Sequence, residues 1–286
     1  VQLLTTPEQV RAATAGLARA GQRLALVPTM GFLHQGHLSL MSEGKRRAGT
    51  VAATIFVNPT QFGPTEDLSR YPRDLEGDLR RCSEVGVDYV YAPAPAVVYP
   101  PGFQTTVSVA RVSQGLCGDR RPGHFAGVAT VVAKLLALFR PEVALFGEKD
   151  WQQLQVIRRL TLDLELGVEI VGQPTVREPD GLALSSRNAY LEPSERQRAV
   201  SLSRGLRVAQ RAAGEGETGA GRLVGLVRAE LAEAGVREDY VEVRSPELLE
   251  PLERLSPGVP ARALVAAFVG KTRLIDNVEL LVPAKG

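Results

Sequence analysis

Short apolar runs that stop at turn residues alternate with helix-length segments through the first 170 or so positions, and this rhythm most constrains the fold. Arg23 to Val27 stops at Pro28, Thr50 to Val57 ends before Asn58-Pro59, and Val87 to Tyr91 and Glu142 to Phe146 follow the same plan, the last closing at Gly147. A fifth run covers Val168 to Val171. Between them lie helical spacings over Gly36–Ala48, Asp74–Glu84, Ala126–Phe139 and Trp151–Leu160. Strands separated by helical segments argue for a mostly parallel sheet covered on both faces. The expectation is a doubly wound, mostly parallel α/β domain over residues 1–173.

From residue 174 the pattern changes. Pro193 to Ala213 reads as a long amphipathic helix opening on Pro-Ser-Glu. After the Gly-rich break Gly214–Gly221 come a helix over Arg222–Ala234 and strands at Tyr240–Arg244, Ala263–Val269 and Arg273–Leu281. This predicts a smaller α+β domain, 174–286, with Gln173-Pro174 near the junction. Thirty-four basic against 32 acidic residues leave a formal charge of +2, too balanced for a nucleic-acid coat or a polybasic membrane surface. An anionic ligand therefore needs a local constellation. No apolar run approaches the ~20 residues of a membrane span, and the first residues lack a signal pattern. Cys82 and Cys117 could pair once, but a chain of 286 residues has no need of it. A reduced cytoplasm is the expectation.

The strongest local signal is Pro28-Thr29-Met30-Gly31-Phe32-Leu33-His34-Gln35-Gly36-His37, where the first strand gives way to a helix. In an open parallel sheet, ligands bind beyond the carboxyl ends of the strands. Gly31 and Gly36 allow close backbone approach, and a helix N-terminus offers unpaired N–H groups to phosphate. His34 and His37, three apart, can face the same side of that first turn. A lone histidine there would ordinarily be a solvated cap. Two of the chain's three histidines flanking one glycine turn favour a phosphate-handling role.

His-x-Gly-His in this setting resembles the nucleotidyltransferase superfamily that includes class I aminoacyl-tRNA synthetases, and Pro28 through Leu40 resembles the pantothenate synthetase family more closely. Further segments appear in the same order: Phe56-Val57-Asn58-Pro59-Thr60-Gln61-Phe62, Tyr71-Pro72-Arg73, Leu116 through Phe125, Phe146-Gly147-Glu148-Lys149-Asp150-Trp151-Gln152-Gln153, and Leu184-Ser185-Ser186-Arg187-Asn188. The matching blocks lie within residues 28 to 190. The resemblance implies a Rossmann-like first domain, a C-terminal lid, and ATP-dependent condensation of pantoate with β-alanine through an acyl adenylate. It further implies a homodimer and Mg²⁺ beside ATP.

Carried over by position, the ATP site would comprise Met30, Gly31, Phe32, Leu33, His34, Gln35, Gly36 and His37, then Gly147, Glu148, Lys149 and Asp150, then Val176, Leu184, Ser185, Ser186 and Arg187. His37, His34, Lys149, Ser185, Ser186 and Arg187 are the candidate catalytic groups. Their imidazoles, ammonium, hydroxyls and guanidinium suit charge that grows on phosphate oxygens. Asn58, Gln61 and Gln153 are candidates for pantoate and β-alanine, because amides can hold hydroxyls or a carboxylate without added charge, and Arg121, which aligns with a family arginine in a loop near the site, is carried over with them. Asp78 matches a family carboxylate placed to help a divalent ion, although Gly77 stands where an acidic residue is common. His124 reads as a helix-start residue with a structural hydrogen bond, and Cys117 as packing. Two other classes compete: a nucleotidyltransferase that joins no amine, and a non-catalytic nucleotide-sensing module. The amides at Asn58, Gln61 and Gln153 speak against the first, and the complete set of histidines, lysine and Ser-Ser-Arg against the second.

Overall fold

The computed structural model describes residues 1–64 and 66–284. The last two positions of the expected second domain lie outside the described residues. The elements run β1 (Gln2–Leu4), α1 (Pro7–Arg19), β2 (Arg23–Thr29), α2 (Gln35–Ala48), β3 (Gly49–Ile55), α3 (Leu75–Glu84) and β4 (Tyr89–Tyr91). Next come α4 (Pro95–Val98), α5 (Leu116–Arg120), α6 (His124–Phe139), β5 (Val143–Gly147), α7 (Trp151–Asp163) and β6 (Glu169–Gln173). The chain closes with α8 (Pro193–Gly214), α9 (Ala220–Glu233), β7 (Arg237–Arg244), β8 (Ala261–Val269) and β9 (Thr272–Leu280). Two compact units result: Val1–Glu148 with Gln152–Pro174, and Lys149–Trp151 with Thr175 onward.

In the first unit six strands pair in the order β1-β4-β3-β2-β5-β6, every pairing parallel. The order reverses between β2 and β5, so the crevice beyond their carboxyl ends is the ligand position of such a sheet. Alternate residues Ala25 and Val27, Val51 and Ala53, and Val143 and Leu145 share one buried cluster with Leu40 and Met41 of α2 and Cys82 of α3. The intervening Leu24, Leu26, Ala52 and Ala144 are equally buried, as a sheet covered on both faces demands.

Pro28 does not end the first long strand, contrary to the sequence expectation. Strand β2 continues to Thr29, with Pro28 paired to Thr54 of β3. Pairing of β2 with β5 covers only Ala25 and Leu26, so the prolyl nitrogen falls where the ladder has become one-sided. Strand β1 and helix α1 were not anticipated. Their signal was present: Thr6 caps α1, Gln9 answers it in a reciprocal capping box, and Pro7 occupies the first helical turn.

The second unit packs α8 and α9 on the antiparallel sheet β7-β8-β9. Its core joins Leu202 and Leu206 of α8, Leu223 and Val227 of α9, and Ala263, Val265 and Ala267 of β8. The segment Lys149–Trp151, expected within the first domain, groups here for a physical reason. The Arg262 guanidinium lies 3.5 Å from the Trp151 ring, Trp151 Nε1 donates to Pro246 O at 2.7 Å, and Asn277 Nδ2 donates to Lys149 O at 2.9 Å. Both cysteines are buried, and neither is in a disulfide. Among the described residues no helix is long and apolar enough to cross a membrane.

Candidate active site

The turn between β2 and α2 is built to a demanding shape. Gly31 has φ +83°, and an added Cβ would lie 2.9 Å from both Asp78 Oδ2 and Ile55 Cγ2, so no larger residue fits. Phe32 follows with φ 51°, an uncommon value for a side-chain-bearing residue. The conformation is held from α3. Asp78 accepts the backbone N–H of Phe32 at 2.8 Å and of Leu33 at 2.7 Å, while Arg81, one turn later, donates to Leu33 O. Asp78 is 1% exposed, and burial pushes its carboxyl above the ordinary carboxylate value against the lowering pull of those N–H groups. Both its oxygens are occupied by backbone donors. This geometry makes Asp78 the anchor of the turn.

The two histidines emerge from this turn as a matched pair. His34 is the N-cap of α2, and its Nδ1 accepts from Gly36 N–H at 3.2 Å. His37 Nδ1 accepts from His34 N–H at 3.2 Å, which completes a capping box made of two imidazoles. The rings face each other with centroids 4.0 Å apart. Since each Nδ1 accepts, a neutral ring carries its proton on Nε2. The cap thus fixes both tautomers as Nε2–H donors at the positive end of a helix.

A second cluster forms where the Pro59–Gln61 turn meets α6. Asn58 is 1% exposed, and its Nδ2 donates to Gln61 Oε1 at 3.1 Å and to Gly127 O at 3.2 Å. A Cβ on Gly127 would sit 2.4 Å from Thr60 O, so α6 approaches this turn as only glycine permits. Gln61 Nε2 donates to Met30 Sδ at 3.4 Å, bringing the amide to the end of β2. His124 opens α6 and contacts Gln61 O through Nδ1 at 2.9 Å, with Arg121 Nη1 3.0 Å from its Nε2. Arg121 also grips Glu66 with two hydrogen bonds of 2.7 and 2.6 Å. On α7, Gln153 is half-buried. Its neighbour Gln152, passed over in the sequence, is buried, accepts from Cys117 N–H at 3.0 Å and donates to three carbonyls between Val112 and Gly115.

Glu66 provides a pH test of this cluster. Burial raises its carboxyl, but the Arg121 hydrogen bonds and charge outweigh that, so the folded value lies below the ordinary 4.5. Its contribution is complete above the unfolded value, declines as pH falls below it, and is gone once pH has passed through the folded value. The stability difference between the native chain and Glu66→Gln, read by urea unfolding, should therefore shrink steadily from pH 6 to pH 3. A difference that stays constant would contradict the pairing.

In the second unit, Lys149 and Ser185 line one small recess with Leu182, Asn188 and Asp276. Ser185 caps the turn Ser186–Tyr190 by accepting from Arg187 N–H at 3.3 Å. Leu184 N–H donates to Val176 O at 3.0 Å, and Asn188 Nδ2 ties Ala183 O to Glu178 Oε1 at 3.1 and 3.2 Å. Two neighbours on β9 hold the strands of this arrangement: Asn277 through Lys149 O, and Asp276 through a double hydrogen bond of 2.6 and 2.9 Å from Arg177. Lys149 Nζ lies 3.4 Å from Asp150 Oδ2, a loose pair that leaves the ammonium able to meet a stronger anion. Sequence reading missed Arg177, Asp276 and Asn277, because contacts 99 and 128 positions apart leave no local trace.

The family described as Pantoate-beta-alanine ligase matches residues 2–279 of this sequence. The chain belongs to the pantoate–β-alanine ligase family. Pantothenate synthetase from Myxococcus xanthus is 67% identical over 97% of the chain and 96% of its own length. The enzyme of that name from Anaeromyxobacter dehalogenans is 59% identical over 98% of both. The crystal structure of the Thermus thermophilus pantothenate synthetase superposes with a TM-score of 0.92 at 45% identity, covering 98% of this chain and 100% of that one. A pantoate–β-alanine ligase from Francisella tularensis, crystallised with β,γ-ATP and β-alanine, aligns with a TM-score of 0.81 at 32% identity over 97% of each chain. As a member of the pantoate–β-alanine ligase family the chain is a ligase, and ATP is its co-substrate.

Proposed function

We propose that the chain condenses pantoate with β-alanine in two steps, with the paired imidazoles at the head of α2 as the principal phosphate-binding element. The observation that carries this is the two-histidine capping box, which presents two Nε2–H donors of fixed tautomer outside β2. In the first step a pantoate carboxylate oxygen attacks the α-phosphorus of ATP. A P–O bond forms, the α–β bridging bond breaks, and pyrophosphate leaves with its electron pair. His34 and His37 donate to oxygens that gain charge, and Lys149, Ser185, Ser186 and Arg187 serve the same end. In the second step the amine of β-alanine attacks the acyl carbon, a C–N bond forms, the acyl C–O bond to the phosphate breaks, and AMP departs with its electron pair while the amine gives up a proton. No side-chain nucleophile is required, so positioning supplies much of the rate.

Gln61 and Gln153 are assigned to the acid substrates, with Asn58 holding Gln61 and Arg121 bracing the turn that carries it. Mg²⁺ accompanies ATP in this proposal. Asp78 is the candidate carboxylate on the protein's side: each oxygen accepts one backbone N–H and keeps a second lone pair, and no step is routed through the ion. Mg²⁺ can be carried by nucleotide phosphates with few protein ligands. The second unit is proposed as a lid that keeps water from the adenylate, the chain as a homodimer, and the cytoplasm as its place.

Pyrophosphate–ATP exchange tests the substrate assignment. Exchange should depend on pantoate and fall at least about tenfold with other small hydroxy acids, a discrimination of ~1.4 kcal/mol. Preference for another acid would overturn the pantoate assignment. AMP release should in turn require the amine, and a nucleotidyl product in its place would favour the competing nucleotidyltransferase reading.

A further inference from the structure

The amide assigned to the acid substrate is braced by a residue outside every motif discussed above. Tyr99 follows α4, and its ring packs against Phe56 and Phe103 with centroids 6.3 and 5.1 Å apart. Lys134 of α6 lies 4.5 Å from the Phe103 ring centre and closes the cluster. These contacts hold the phenol without using its hydroxyl. That hydroxyl donates to Asn58 Oδ1 at 2.8 Å, shorter than the other bonds the oxygen accepts, from Thr60 N–H at 3.3 Å and the Thr60 hydroxyl at 2.9 Å.

The far end of Asn58 then has no choice. One backbone donor, Thr60 N–H, and one backbone acceptor, Gly127 O, admit a single orientation of the amide, with Nδ2 toward Gln61 Oε1. Because the Gln61 oxygen is engaged there, its Nε2 is turned toward Met30 at the end of β2. A thioether is a weak acceptor, so this donor gains when an alcohol or carboxylate oxygen replaces it.

We propose that Tyr99 is a positioning residue for the acid substrate, holding Gln61 through Asn58 so that the glutamine presents an N–H to a substrate oxygen. This rests on the assignment of Gln61 to acid binding. Burial, opposed by the Thr60 and Asn58 hydrogen bonds, keeps the phenol above its ordinary value, so it stays a donor throughout the neutral range.

The test is a double-mutant cycle read in Michaelis constants, using Tyr99→Phe, Gln61→Ala and the pair. Phenylalanine preserves the ring contacts, and thermal unfolding checks that each variant is folded. Tyr99→Phe should raise KM for pantoate about five- to tenfold, the scale of one lost hydrogen bond, and leave KM for ATP within about twofold. In the Gln61→Ala background it should add nothing. Equal effects in both backgrounds, or a matching rise in KM for ATP, would reduce Tyr99 to packing and overturn the proposal while Gln61 keeps its role. Unchanged acid constants in Gln61→Ala itself would overturn the Gln61 assignment and Tyr99's role with it.

Discussion

His37→Ala is expected to slow adenylate formation by about 10²–10³-fold, the usual consequence of removing one preorganised donor from a charge-developing site. His37 Nδ1 is committed to the N–H of His34, so Nε2 carries the proton and donates. Alanine removes that donor and also the lower half of the cap, which releases His34 from its ring partner 4.0 Å away. Losing the cap alone should cost about 1 kcal/mol of stability. His37→Gln separates the two effects, because an amide can accept at the cap and donate beyond it, and it should recover part of the rate. The check is single-turnover formation of the adenylate at saturating ATP. A loss below about tenfold, ~1.4 kcal/mol, would contradict the phosphate-binding role.

Asp78→Ala is expected to destabilise the ligand-free protein by roughly 2–6 kcal/mol, because the N–H groups of Phe32 and Leu33 would each lose their acceptor at about 1–3 kcal/mol apiece. At about 2 °C per kcal/mol, the low end for chains approaching this length, the midpoint should fall by roughly 4–12 °C. Asp78→Asn should lose about half as much, since an amide accepts through one oxygen and sets its NH₂ against the other donor. Thermal unfolding without nucleotide or metal measures this. A metal ligand behaves differently: its loss would leave the ligand-free midpoint in place and raise the Mg²⁺ requirement. That second outcome would contradict the anchoring role.

The fold was legible because parallel strands buried on both faces must be apolar throughout, and the runs at Arg23, Thr50 and Glu142 are of that kind. Element ends were less legible. Pro28 looked like a terminator because the sequence does not reveal that β5 stops pairing two residues earlier. Helix α1 carried its own signal in Thr6 and Gln9, but its buried residues are few, Val10 and Leu17 only, and the apolar periodicity is correspondingly faint. At the site, the spacing of His34 and His37 gave their common face, whereas the reciprocal cap depends on backbone angles that spacing does not encode. Asp78 was legible as a carboxylate worth noticing, and its employment was not. Its spacing from Arg81 marks one helix face, but their shared target, Leu33, lies 45 and 48 positions earlier in the chain. Tyr99 and Asn277 are ordinary residues in unremarkable segments, and only the tertiary hydrogen bonds give them meaning.

The account stands on carboxylate attack at the α-phosphorus, which isotope transfer examines directly. Pantoate labelled with ¹⁸O in its carboxylate should deliver one labelled oxygen to AMP in each turnover, since the oxygen that bonded to phosphorus leaves with it. Label appearing in pyrophosphate or inorganic phosphate, or AMP free of label, would contradict the adenylate and the roles assigned around it.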